Sequence, residues 1–388
     1  MHVVIAPDSF AGTLTARQAA EAMAQGWRGT APHDLLTLVP LSDGGPGFVD
    51  VLSGSLDGAP TVVTTVADPL GRDVPATLLV VDGRAGRTAY VEAAQAAGLH
   101  LLAADERNPA VTSTWGVGQL VEAALAEGAT RVVVGLGGTA TNDGGAGLLA
   151  ALGAGDPAAL ARGGLALAEL TDDALAGLAQ VRSRLAGTRL VVATDDDAPL
   201  LGLKGTSAVH SPRKGASPEL SQALEGALGR FVDVVRRSAP QATDLLSGAP
   251  RRLDKEPGAG AGGGLGYTLF LLGATRGSGV GEVVEAVGLR DLLAAADLVL
   301  TGEGCFDWQS LQGSVVAGVA ELALETATPS VLLAGQTMVG RREAMALGLS
   351  GTYAVADNPG EVEAAMADPV STLAGRAARV AATWSPTR

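Results

Sequence analysis

Short apolar runs, each halted by Pro, Gly or Asp and followed by a helical stretch, recur at both ends of this chain. The first is Val3 to Ala6, stopped by Pro7, after which Thr15 can cap an alanine-rich helix reaching about Trp27. A second strand follows at Leu35 to Val39. Near the C-terminus the alternation returns, with strands at Leu298 to Thr301, Val331 to Ala334 and Thr352 to Val355 separated by helical stretches such as Val315 to Leu324. Strands spaced by helices imply a parallel sheet with right-handed crossovers. The middle follows another rule. Val62 to Val66, Ala76 to Val81 and Thr88 to Glu92 are joined by the turn-like Asp68-Pro69-Leu70-Gly71 and Asp82-Gly83, the pattern of hairpins or a meander. A helix near Gly116 to Ala126 and buried strands at Arg131 to Leu136 and Leu190 to Thr194 come next. The chain has 388 residues, more than one ordinary core of about 150 residues holds. The expected architecture is two-domain α/β, with residues 1–66 and 292–388 sharing one parallel sheet and a mixed α/β domain inserted over 67–291. Ser238 to Gly266, rich in Pro and Gly, reads as a loop crossing between the lobes.

Composition narrows the class of partner. Glycine accounts for 54 residues, about twice the roughly 7% average, which suits tight turns and close approach to a ligand. The formal net charge is −14, and no Lys/Arg run offers the basic face that nucleic acid requires. No stretch of about 18 uninterrupted apolar residues exists to span a bilayer, so no membrane partner is expected. The start MHVVIAPDSF reaches Pro7 and Asp8 too soon for a secretory signal. A lone cysteine, Cys305, forms neither an internal disulfide nor a cysteine zinc site. A cytoplasmic protein acting on a small molecule is the expectation.

Two kinds of constellation could carry chemistry. Gly137-Gly138-Thr139-Ala140-Thr141-Asn142-Asp143-Gly144-Gly145 follows a predicted strand and opens into a helix, so its main-chain N–H groups would suit a phosphate; the competing reading is a sharp strand-to-helix turn. Carboxylates also sit at the ends of predicted strands: Asp8, Asp43, the trio Asp195, Asp196 and Asp197, and Glu303. In open α/β sheets those ends line the ligand crevice, although helix capping accounts for many such residues. Hard carboxylate oxygens with a phosphate loop imply Mg²⁺. No Gly-x4-Gly-Lys-Ser/Thr loop, His-Glu-x-x-His or Gly-x-Ser-x-Gly occurs. The four histidines, His2, His33, His100 and His210, show no ligand spacing and read as surface or packing residues.

These residues resemble the glycerate kinases of the bacterial type I family over nearly the whole chain. The motifs are Ala6-Pro7-Asp8-Ser9-Phe10, Asp43-Gly44-Gly45, Asp68-Pro69-Leu70-Gly71, the Gly137 to Gly147 loop, Lys214-Gly215-Ala216, Gly258 to Gly266 and Thr301-Gly302-Glu303-Gly304. The resemblance implies a flavodoxin-like domain built from both chain ends, a second α/β domain, and an active site in the cleft. It also implies ATP- and Mg²⁺-dependent phosphorylation of D-glycerate on its 2-hydroxyl. On that reading Asp195, Asp43 and Asp143 are catalytic candidates and Asp195 with Asp197 the metal ligands. Ser9, Asp8, Lys214 and Glu303 are placed on substrate, and Gly137, Gly138, Thr139, Thr141, Asn142, Gly144 and Gly145 on the nucleotide. The chain departs from the family pattern at three cationic positions, where it carries Ala11, Cys305 and Ser314; Ala198 and Pro46 also differ. The alternative is therefore a homologue that is catalytically impaired, or shifted to another small hydroxy acid or anion. Lys204, Arg213 and Lys214, on one segment, could supply substitute cations.

Overall fold

The computed structural model describes every residue except Ala11, Asp57, 239–247, Ala249 and 387–388. Among the described residues the strands, in chain order, are β1 His2–Ile5, β2 Leu35–Leu38, β3 Thr61–Ala67, β4 Asp73–Gly83, β5 Gly86–Glu92, β6 Arg131–Gly135, β7 Arg189–Ala193, β8 Thr275–Gly277, β9 Leu298–Thr301, β10 Cys305–Phe306, β11 Ser330–Ala334, β12 Gln336–Thr337 and β13 Gly351–Ala354. The chain divides into two compact units. The first comprises Met1–Asp43, Asp50–Asp57 and Ser278–Arg388, the second Gly44–Val49 and Gly58–Gly277. No described helix is long and apolar enough to cross a membrane.

In the first unit five strands pair in the order β13-β11-β9-β1-β2, and every pairing is parallel. Counted along the unit from the other edge this is the 2-1-3-4-5 order of flavodoxin-like sheets. The inner strands are apolar on both faces, as Val3, Val4, Ile5 and Leu298 to Leu300 show, because helices cover parallel sheets on both sides. The first helix, Ala16–Thr30, starts where the sequence predicts: Thr15 accepts from Gln18 N while Gln18 Oε1 accepts from Thr15 N. Its Ala19, Ala20, Met23 and Trp27 recur at helical spacing and are buried beside the helix Pro369–Trp384, whose buried side chains include Leu373 and Ala377. The two helices touch through Gly26, where a Cβ would stand 1.9 Å from Ala374 O.

The second unit holds a six-stranded sheet, β3-β4-β5-β6-β7-β8, antiparallel from β3 to β5 and parallel beyond. Asp68 builds the predicted turn, its Oδ1 accepting from Leu70 N and Arg72 N at 2.8 and 2.9 Å. The domain boundaries differ from those read in sequence. β3 bonds to β4, which moves residues 61–66 into this unit, and Glu92 accepts from Gly47 N and Val49 N, which holds 44–49 there too. Residues 278–291 go the other way. Local pattern reveals a strand but not its partner.

The glycine tract also differs from the loop expected between lobes. Its described part lies within the second unit and opens the helix Ala261–Leu271, with Gly262, Gly263 and Gly264 at φ of +64°, +73° and +96°. Residues 239–247 and Ala249 of that expected loop fall outside the described residues. Gly263 O accepts from Gly144 N at 3.0 Å, and a Cβ on Gly263 would stand 1.8 Å from Thr141 O. Gly263→Ala therefore costs at least about 2 kcal/mol from left-handed strain plus overlap. Gly226→Ala, in the helix Pro218–Ser238 with nothing near its Cβ position, stabilises by up to about 1 kcal/mol. Thermal melts of both variants check the contrast.

Candidate active site

The first unit collects acids at the carboxyl edge of its sheet. Pro7 ends β1, and the chain stays beside β9 long enough for Asp8 N to donate to Gly302 O at 2.8 Å, while Leu41 N donates to Pro7 O at 2.9 Å on the other side. Asp8, Asp43 and Glu303 are thereby brought to neighbouring strand ends. Burial, with the nearby Asp43 and Glu303 charges, pushes Asp8 up to about 8, against the Ser9 N–H that donates to Asp8 Oδ1 at 2.6 Å. Burial also pushes Glu303 up to about 7; the Ser310 hydroxyl opposes this, and the Asp307 and Asp43 charges add to it. Glu303 Oε1 is buried without a hydrogen-bond partner. A carboxyl held near neutrality among like charges is suited to take a proton from an alcohol. Four of the sequence candidates, Asp8, Ser9, Asp43 and Glu303, thus form one group.

In the second unit the loop after β6 is packed more tightly than a phosphate cradle requires. Asp143 is fully buried, and its carboxylate accepts from Thr114 N, Thr114 Oγ1, Gly145 N and Gly147 N at 2.8–3.2 Å. Burial raises its pKa while those donors oppose the shift. It anchors the turn rather than standing free as a catalytic acid. Gly144 N is engaged by Gly263 O, Ala140 N by Ala97 O and Gly137 N by Gly44 O, and Thr141 through Gly145 are buried. The helix that follows, Ala146–Ala151, is itself largely buried, so its N-terminal N–H groups are satisfied from inside. Only Gly137 and Gly138 of the predicted nucleotide loop are partly exposed, with Thr139 buried next to them.

Lys214 reaches the same loop from beneath. Its Nζ donates to Thr141 O at 2.6 Å and the residue is 2% exposed. Burial, followed by the Arg213 charge, pulls its pKa down to about 7 against Asp143 and Asp196. Lys204 and Arg213 are exposed, whereas Lys214 is spent on the loop carbonyl. Beside Lys214, Asn142 Nδ2 donates to Ser207 Oγ at 3.1 Å, while Thr141 Oγ1, Asn142 Oδ1 and Thr206 Oγ1 are buried without partners.

Asp195 and Asp197 lie on the irregular segment after β7, with Asp197 Oδ1 2.7 Å from Arg276. Between them Asp196 pairs with His210 Nε2 at 2.7 Å. Burial pulls Asp196 up, yet His210 and the Ala198 N–H outweigh it and hold the acid below its usual range. Sequence spacing could not find this pair, because the partners come from separate segments. Among the described residues no group of three or more His, Cys, Asp or Glu side chains is arranged to hold a metal ion.

Two of the three departures from the family cations have visible settings. Ser314 caps the helix Val315–Glu325, accepting from Ala317 N at 3.1 Å and donating to Ser310 O at 2.6 Å. Cys305 is exposed, and burial with Asp307 and Glu303 raises its thiol pKa, the opposite of an activated nucleophile. Ala11 falls outside the described residues.

Comparison with known proteins gives a consistent result. Residues 3–385 match the model of the glycerate kinase family. The chain is 40% identical over 340 residues to the glycerate kinase of Bacillus subtilis (strain 168), covering 86% of this chain and 85% of that one. It is 34% identical over 388 residues to the glycerate 2-kinase of Escherichia coli (strain K12), covering 99% and 98%. A crystal structure of a "putative glycerate kinase 2" from Salmonella typhimurium LT2 superposes with a TM-score of 0.75 at 34% identity, over 99% of this chain and 98% of that one.

Proposed function

Because the chain belongs to the glycerate kinase family, we propose that it transfers the γ-phosphoryl group of ATP to the 2-hydroxyl of D-glycerate, releasing 2-phosphoglycerate. The observation that carries this reading is the acid group of the first unit, where Asp8 is pushed up to about 8. An alcohol attacking phosphorus must lose its proton, and a carboxyl whose pKa lies near the working pH accepts it best. Asp8 is the base in this reading. Glu303, with Oε1 lacking a partner, hydrogen-bonds the substrate, and Ser9 orients it. Burial keeps Asp8 basic, and the Asp43 charge adds to it.

Transfer between anions also calls for Mg²⁺ at the donor phosphates, where it neutralises developing charge. Asp195 and Asp197 offer hard oxygens two residues apart, and one or two protein carboxylates with phosphate oxygens suffice for this ion; in this reading they would hold it, Asp197 giving up its ion pair with Arg276. Gly137 and Gly138 are the part of the glycine loop left to approach phosphate. A second reading, phosphorylation of a different hydroxy acid or loss of turnover, is favoured by one feature: Cys305 and Ser314 bring no positive charge to their positions.

Incubation with ATP, Mg²⁺ and D-glycerate, followed by phosphorus NMR, decides between the readings. The expected product is 2-phosphoglycerate, formed at ordinary enzyme rates of about 1–10³ s⁻¹. Turnover of another hydroxy acid in a panel, with glycerate inert, selects the shifted substrate. No turnover of any member selects the impaired homologue.

A further inference from the structure

We propose that an apolar pocket in the first unit binds the adenine base of the phosphoryl donor, an assignment that rests on the kinase reading above. The pocket has a volume of about 220 Å³ and lies beyond the carboxyl ends of the parallel strands. Phe10 and Leu14 come from the loop after β1, Cys305 from β10, Gln336 from β12, Val355 from just after β13, and Met366 from the helix Pro359–Ala367. Each main strand except the edge strand β2 thus contributes to one wall, as expected of the crevice in a doubly wound sheet.

Three features define the occupant. None of the lining residues is charged, so neither a glycerate carboxylate nor a triphosphate would be held inside it; the chemistry suits a neutral, flat, largely apolar group. Next, Cys305 and Gln336 are register partners in the small parallel pair β10–β12, and both line the pocket. The Gln336 carboxamide makes no hydrogen bond among the described residues. A carboxamide presents a donor next to an acceptor, the complement of the amino and ring nitrogens on an adenine edge. Finally, the loops that supply the pocket also carry the acids: Phe10 stands two residues after Asp8, and Cys305 two after Glu303. A base seated here leaves ribose and phosphates at the open side of the pocket.

Cys305 is the chain's single cysteine and it lines the pocket, so its alkylation reports occupancy. The rate of reaction with iodoacetamide is measured at alkaline pH with no addition, with adenosine, with ATP and Mg²⁺, and with D-glycerate alone. Adenosine and ATP at saturation are expected to slow labelling about tenfold, and glycerate to leave it unchanged. Ala365→Trp, which fills the pocket from the exposed helix Pro359–Ala367, is expected to raise KM for ATP at least tenfold with KM for glycerate unaltered and the melting temperature retained. Labelling that is indifferent to adenosine and ATP overturns the assignment, as does an Ala365→Trp enzyme with unchanged KM for ATP. Protection by adenosine in a protein that phosphorylates nothing would uphold the pocket and remove the kinase reading instead.

Discussion

Asp8→Asn is expected to lower kcat by about 10²–10⁴-fold, the range a positioned general base supplies, with little change in KM for ATP. The asparagine keeps the shape and can still meet the Ser9 N–H that donates to Asp8 Oδ1, but it cannot take a proton. In the parent enzyme log kcat should rise with pH and level off above about 8. Asp8 and Glu303 lie among common charges, so the apparent constants belong to the group rather than to either residue. Stability moves the opposite way. Asp8 is raised in the folded state from 3.8 to about 8, so the folded protein holds a proton that the unfolded chain has released. The stability contributed by this group is full below the unfolded value and is lost as pH rises through about 8. Asp8→Asn removes that loss, and the variant should melt higher than the parent at alkaline pH while being the poorer catalyst. A rate within a fewfold of the parent's would end the case for Asp8 as the base.

Much of this layout could be read in the sequence because its signals are local. Thr15 with Gln18 announces a capped helix wherever the chain folds, and Pro7 stops a strand without reference to its neighbours. The strand-end acids Asp8, Asp43 and Glu303 were legible for the same reason: strand direction puts successive carboxyl ends on one edge of a parallel sheet. What failed was long-range. Thr61 to Val66 has the composition of a strand, but only pairing with β4 says which unit it joins. Gly137 to Gly145 carries the composition of a phosphate loop, yet Thr114, Gly263 and Lys214, distant in sequence, take up its polar groups. The pairing of Asp196 with His210 and the pocket shared by Phe10, Gln336 and Met366 likewise depend on contacts that spacing does not encode.

Lys214 is where that long-range packing should show the largest cost to stability. Its Nζ satisfies Thr141 O at 2.6 Å inside the second unit, and burial pulls its pKa from 10.5 to about 7. Lys214→Met keeps the stem but leaves the carbonyl without its donor, a loss of about 1–3 kcal/mol. Lys214→Ala adds a cavity and is expected to cost about 2–5 kcal/mol. The pH dependence supplies an independent check. A depressed amine pKa means the unfolded chain binds the proton more readily, so this contribution to stability is full above about 10.5 and is lost as pH falls through about 7. Between those limits the parent should gain stability from this group as pH rises and Lys214→Met should not, which denaturant melts at a series of pH values resolve. The slope is opposite in sign to that of Asp8, so the two variants separate the contributions of the two units. A Lys214→Met protein as stable as the parent but inactive would place the amine on substrate instead. A destabilised variant whose residual folded fraction turns over normally would place it on the loop.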